Sequence, residues 1–196
     1  MWVVKIGGSL SHDPSLRDWL MQLWEVGGGR IVIVPGGGDF ADRVRLYQKE
    51  WHFGDLAAHN MCLLGMTQYA LMMQGVLPEL VLATNEDMIR RALRNGKVAV
   101  WMPIGLLTAT PNAMTNWDTT SDSLAAWLST SLNAERLMVV KSCAVDSDRP
   151  LDMLVSDGVL DARFVEYVHD ANYVVELFNK GDVGLMRERL LNSPAA

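Results

Sequence analysis

At 196 residues the chain is long enough for one domain that buries roughly 70% of its unfolded surface, and its 49% hydrophobic and 20% charged residues are those of a globular protein. A formal charge of −6 excludes the broad basic face that a nucleic-acid surface needs, yet it allows a small anionic ligand, since local lysines and backbone amides outweigh distant charge. Its two cysteines, Cys62 and Cys143, stand in no metal-ligand spacing, which fits a reduced, cytoplasmic setting.

Taken in chain order, the elements alternate. Residues 2–6 read as a buried strand, interrupted as a signal-peptide core by Lys5, Gly7 and Gly8. Asp13 then caps a helix with Pro14 at its first position and Leu16, Trp19, Leu20 and Leu23 on its apolar face. Residues 30–34 form a second buried strand, followed by Gly36-Gly37-Gly38, a helix near 41–50 and a longer methionine-rich helix over 55–74. The apolar run at 61–77 is broken by Thr67, Gln68 and Gln74 and is too short for a membrane span. Strands follow at 80–83 and 98–102, with a short helix between them capped by Asn85. A polar loop then runs to Trp117, and the polar segment 110–119 is long enough to fold over a small ligand as a lid. A helix at 121–132, a strand at 137–140, a helix at 162–169, a strand at 173–176 and a closing helix at 183–191 complete the pattern. Strands without polar alternation, separated by helices, predict a mainly parallel open sheet covered on both faces. The methionine helix is apolar nearly all round, which predicts burial on several sides and a homo-oligomer built on a dimer. The four histidines, His12, His52, His59 and His169, show no metal spacing and read as structural or surface groups.

Chemistry concentrates at strand ends. Lys5 ends the first strand before Gly7-Gly8-Ser9, and Gly36-Gly37-Gly38-Asp39 follows the second strand. Glycines between a strand and a helix let backbone N–H groups converge on an anion, so two such loops predict a site that holds two phosphorylated groups. Neither loop has the Walker A or GxGxxG spacing. A buried lysine is costly unless paired, and Lys141-Ser142 at the end of the fifth strand repeats the Lys5 arrangement. Thr120 or Ser121 can cap the helix that follows Trp117, and Asp122 in its first turn can orient Lys5.

Lys5-Ile6-Gly7-Gly8-Ser9, Pro35-Gly36-Gly37-Gly38 and Ser121-Asp122-Ser123-Leu124-Ala125-Ala126 occur in the order and spacing of the amino acid kinase superfamily, which the chain resembles to about residue 146. The resemblance implies a three-layer αβα sandwich that transfers the γ-phosphoryl group of ATP, with Mg2+, to an oxyanion. It implies Lys5, Asp122 and Lys141 as catalytic residues, and Lys5, Gly7, Gly8, Ser9, Lys141, Ser142 and Asp146 around the nucleotide phosphates. Gly36, Gly37, Gly38, Asp39, Asp118, Thr119 and Ser121 would bind the acceptor. Lys141-Ser142 replaces the Thr-Asp of many members but resembles uridylate kinases, and the usual Gly-Thr ending is absent. Length and the Trp117-to-Trp127 segment look most like the aminomethylfuran-phosphate kinases of methanofuran biosynthesis. Their substrate amine would seek Asp39, Asp55 or Asp118. The alternatives are a uridylate or isopentenyl phosphate kinase-like enzyme, or a non-catalytic oxyanion-binding relative.

Overall fold

The computed structural model describes residues 1–146 and 149–193. Six strands, β1 (Trp2–Ile6), β2 (Ile31–Pro35), β3 (Val81–Ala83), β4 (Ala99–Trp101), β5 (Arg136–Lys141) and β6 (Val174–Asn179), form one sheet in the order β3-β4-β2-β1-β5-β6. Every pairing is parallel. All strands therefore end at one edge. From β1 the chain turns toward β2, and from β5 it turns toward β6 on the other side. Adjacent strands whose connections leave in opposite directions open a crevice between them, the position at which ligands enter open α/β sheets.

The eight α-helices among the described residues are α1 (Ser15–Gly27), α2 (Gly38–Trp51), α3 (Asp55–Val76), α4 (Glu86–Arg94), α5 (Ser121–Leu132), α6 (Leu151–Ser156), α7 (Phe164–Val168) and α8 (Val183–Asn192). They cover both faces and make two cores. One core joins Val3, Val34, Leu137 and Val139 to Leu63 of α3 and Leu124 of α5. The other joins Val4, Ile6, Ile33, Met138 and Val140 to Trp19 of α1 and Leu190 of α8. Alternate strand residues face opposite sides, so Lys5 follows Val3, and Lys141 follows Val139, onto the α5 side. Register carries this further. Lys5 lies opposite Val139, so Lys141 stands two residues nearer the carboxyl edge, about 7 Å along the strand.

Several expected boundaries move. The first helix starts at Ser15 rather than Pro14, with Asp13 accepting a bond from the Ser15 N–H at 3.0 Å. Lys180 and Ser15 together hold the Asp13 carboxyl at about 2. The helix at 41–50 begins earlier, at Gly38, because the left-handed φ of +54° at this glycine lets the chain turn directly into it. Short 3-10 turns at Gly8–His12 and Pro103–Leu106, and helix α6, carry too little periodicity to stand out in the sequence. The last strand runs past residue 176 to Asn179.

Helix α3 explains its own composition. Its first half feeds one core through Leu63 and Met66, and its second half feeds the other through Tyr69, Ala70 and Met73. Burial within the chain thus absorbs most of its apolar surface and leaves Leu64 and Leu71 exposed. No helix among the described residues is long and apolar enough to cross a membrane.

Candidate functional site

The two glycine loops meet at the carboxyl edge, backbone against backbone. A Cβ placed on Gly8 would lie 2.1 Å from the Gly38 nitrogen, and one on Gly36 would lie 2.3 Å from the Gly8 nitrogen. Gly8 and Gly36 are thus required by contact between the loops themselves, and the Gly36 N–H donates to the Ile6 carbonyl at 2.8 Å rather than facing an anion. Gly36 is consumed in the contact, whereas Gly8, Gly37 and Gly38 also border a cavity. Gly7 is held from two sides, its N–H donating to the Val140 carbonyl at 3.1 Å and its carbonyl accepting from the Tyr69 hydroxyl at 3.5 Å. Ser9 and Ser142 hydroxyls bond at 2.7 Å and join the first loop to the end of β5.

Asp122 is the centre of the charged cluster. Its Oδ1 lies 2.7 Å from the Lys5 ammonium and its Oδ2 2.5 Å from that of Lys141. Lys5 is 4% exposed and Asp122 3%. Burial alone would raise the Asp122 pKa, but Lys5 and Lys141 outweigh it and hold the carboxyl below its ordinary value. Lys141 moves down, driven first by burial and then by the Lys5 charge, against the pull of Asp122. One carboxylate is shared by two ammonium groups at the crevice between β1 and β5. Two ammonium groups held side by side offer donors to an anionic group such as a phosphoryl.

The first turn of α5 owes its position to a residue the sequence reading missed. Neither Thr120 nor Ser121 caps the helix through its own side chain. Instead Asp161, between α6 and α7, accepts from the Thr120 N–H and hydroxyl and from the Ser123 N–H, each at 2.9 Å, and from the Ser123 hydroxyl. Its charge also faces Lys141. Asp161 supplies the anion that helix N-termini favour, from a loop 38 residues away. Only the turn signal Asp157-Gly158 marks that loop locally.

Two cavities share the walls Trp117 and Thr120. The lysine-side opening, of about 330 Å3, is bounded by Lys5, Asp122, Lys141 and Asp161. The other pocket encloses about 300 Å3, at the low end for small-molecule sites, and lies between the glycine loops, α2, α3 and the segment before α5. Of the expected acceptor residues, Gly37, Gly38, Asp39, Thr119 and Ser121 line it. Asp118 does not; the turn at 117–120 directs it to the lysine side. Asp146 is exposed, accepts a backbone bond from the Arg149 N–H, and borders neither cavity.

The segment before α5 is tied down. Asn60 of α3 exchanges two bonds with the Thr108 backbone, at 2.8 and 3.1 Å. The Trp117 indole donates to Gln48 at 2.7 Å, and the Arg45 guanidinium stacks over its ring at 4.6 Å. Asp39, Asp42 and Asp55 line the pocket together with Arg45. His59 also lines it, contrary to the expectation that all the histidines are structural or surface groups. His12 instead pairs with Asp39 at 2.5 Å.

A parallel sheet with paired glycine loops and a two-lysine, one-aspartate cluster at its switch point is the arrangement of an anion-binding α/β protein. The amino acid kinase family pattern matches residues 1–146, and the chain belongs to that family. It is 29% identical over 143 residues to the (5-(aminomethyl)furan-3-yl)methyl phosphate kinase of Methanocaldococcus jannaschii, covering 71% of this chain and 64% of that relative's length. Among solved structures it is similar to the uridylate kinase of Archaeoglobus fulgidus, with a TM-score of 0.75 at 15% identity over 98% of this chain and 96% of the other. It is also similar to the UMP kinase of Bacillus anthracis, with a TM-score of 0.71 at 19% identity over 98% and 91% of the two chains. These structural likenesses concern the fold.

Proposed function

We propose that the chain is an ATP-dependent phosphotransferase whose acceptor is a small phosphate monoester. The observation that carries this reading is Asp122 holding two buried ammonium groups where the glycine loops converge. A buried carboxylate with one lysine would be a structural ion pair; a second lysine at the same carboxylate leaves donors that an anionic ligand can use. Acceptor and ATP phosphates would meet beside Lys5 and Lys141, with the acceptor in the pocket beside the glycine loops. An acceptor phosphate oxygen forms the new bond to the γ-phosphorus as the bond to the β,γ-bridging oxygen breaks, and ADP leaves. The attacking oxygen is already an anion, so the chain supplies positioning and charge neutralisation rather than a general base.

Among the described residues no group of three or more His, Cys, Asp or Glu side chains is placed to hold a metal ion, and Asp122 is taken up by its lysines. Magnesium would come bound to ATP and supply charge neutralisation on its phosphates.

For the acceptor, we infer the phosphate of an aminomethylfuran, converted to its diphosphate as a step toward a methanofuran-type cofactor. Three carboxylates, Asp39, Asp42 and Asp55, line the pocket against one guanidinium, Arg45, and such a wall favours a ligand that carries an amine. The M. jannaschii relative bears the same acceptor in its name. ADP release with the aminomethylfuran phosphate, uridine monophosphate and isopentenyl phosphate tests the reading. Turnover confined to uridine monophosphate would overturn the acceptor but leave the phosphotransferase; ATP binding without turnover of any monoester would favour a non-catalytic relative. We also propose a cytoplasmic homodimer that buries Leu64 and Leu71 of α3; a sedimenting monomer at micromolar concentration would refute it.

A further inference from the structure

Helices α2 and α3 run antiparallel, and this makes α3 a ruler for the acceptor pocket. Near the glycine loops, a Cβ on Gly65 would sit 3.1 Å from Cβ of Phe40 and 3.4 Å from the Ala41 nitrogen, level with the start of α2. At the other end, Asp55 accepts from the Gln48 amide at 2.9 Å, near the end of α2. Between these points α3 turns one stripe of side chains into the pocket: Asp55, His59, Cys62, Leu63 and Met66. At 1.5 Å per residue, His59 lies about 9 Å from the level of Gly65 and Asp55 about 15 Å.

His59 is 8% exposed. Burial lowers its pKa, so the ring is uncharged at neutral pH. Among the described residues no protein group hydrogen-bonds it, and its nitrogens are not among the polar atoms sealed from solvent. Buried polar groups ordinarily have partners. An uncharged imidazole offers one donor and one acceptor, and here both are left to whatever occupies the pocket. The deeper part of the stripe, Cys62, Leu63 and Met66, is apolar, and burial holds the Cys62 thiol up at about 11, so it stays protonated and inert.

We propose that His59 is a specificity-determining residue that accepts a hydrogen bond from the N–H group at the far end of the acceptor and so sets the acceptor's length. The proposal rests on the phosphate-monoester reading above. A ring bearing a phosphate-linked methylene and an aminomethyl group spans about 8 Å from phosphorus to nitrogen at ordinary bond lengths. With the phosphate at the glycine loops, the amine reaches the His59 turn and stops short of Asp55. Of the three carboxylates considered from the sequence for this amine, Asp39 opens α2 at the glycine loops and pairs with His12, Asp55 is too distant and Asp118 lies on the lysine side.

The test is steady-state kinetics of wild-type, His59→Leu and His59→Gln proteins with aminomethylfuran phosphate and with the same furan phosphate lacking the aminomethyl group. In His59→Leu, KM for the full acceptor rises about ten- to a hundred-fold, the effect of one unsatisfied polar contact. KM for the truncated acceptor and for ATP stays within about twofold, and His59→Gln recovers most of the loss by keeping a polar end. An equal rise for both acceptors, or no rise for either, overturns the proposal and returns His59 to a packing role. If the wild-type protein turns over uridine monophosphate instead, only the acceptor assignment fails. His59 is then judged on KM for that nucleotide, whose base carries an N–H: a rise supports it, an unchanged KM overturns it. Turnover of isopentenyl phosphate alone, which has no distal donor, overturns it as well, and turnover of none of the three overturns both readings.

Discussion

Replacing Asp122 by asparagine and Lys5 by methionine separates stability from catalysis in the buried cluster. At an effective dielectric near 20, unit charges 2.7 Å apart attract by about 6 kcal/mol, so each of the lysine contacts of Asp122 offsets a large desolvation cost. Asp122→Asn keeps the shape but leaves the buried Lys5 ammonium without its carboxylate and Lys141 with Asp161 alone; losing one partner of a buried pair costs about 3–5 kcal/mol. Urea unfolding at pH 7 would register that loss, and melting would fall by roughly 10 °C. Lys5→Met removes one cation and leaves Asp122 paired with Lys141, so stability changes by less than about 1.5 kcal/mol. Turnover should nevertheless fall about a hundred- to a thousand-fold, the usual effect of removing a group aimed at transition-state charge. In the double variant the activity losses should not add, because both changes disable one unit. A Lys5→Met protein that loses stability like Asp122→Asn while keeping normal turnover would refute the reasoning and make the cluster purely structural.

Three further outcomes follow from the same geometry. Burial and the Lys5 charge lower the Lys141 pKa, so its ammonium is lost as pH rises through a value below the ordinary 10.5; kcat/KM should fall on that alkaline limb, and Lys141→Arg should move the limb upward. For Asp122 the sign is opposite: its folded pKa is depressed, so its stabilisation is full above 3.8 and drains away as pH falls below that, which acid unfolding of wild type against Asp122→Asn would detect. Gly8→Ala would drive a Cβ into the Gly38 backbone and should cost about 3 kcal/mol by thermal unfolding, whereas Gly54→Ala, with open space around it, should cost little.

The alternation of apolar strands and helices determined a parallel sheet, and strand-end lysines beside glycines determined that its carboxyl edge carries the chemistry. Both are local facts, because period-2 burial and backbone freedom act over a few residues. Asp122 was legible for the same reason, standing in the first turn of a recognisable helix. The capping of that helix was not. Asp161 is 38 residues away, and only the packing of the α6–α7 loop against α5 turns it into the acceptor of four bonds. The glycines illustrate the division most sharply: the sequence marked them as anion cradles, while the fold pressed the two loops together until no side chain fits between them. His59 shows the same limit from the other side. Its spacing identifies a helix position, but which face of α3 meets the pocket is set by where α2 crosses it, at Gly65. The sequence thus determined the layers and the charged strand ends; which carboxylates face the acceptor, and which face the lysines, was decided by long-range contacts that no local pattern encodes.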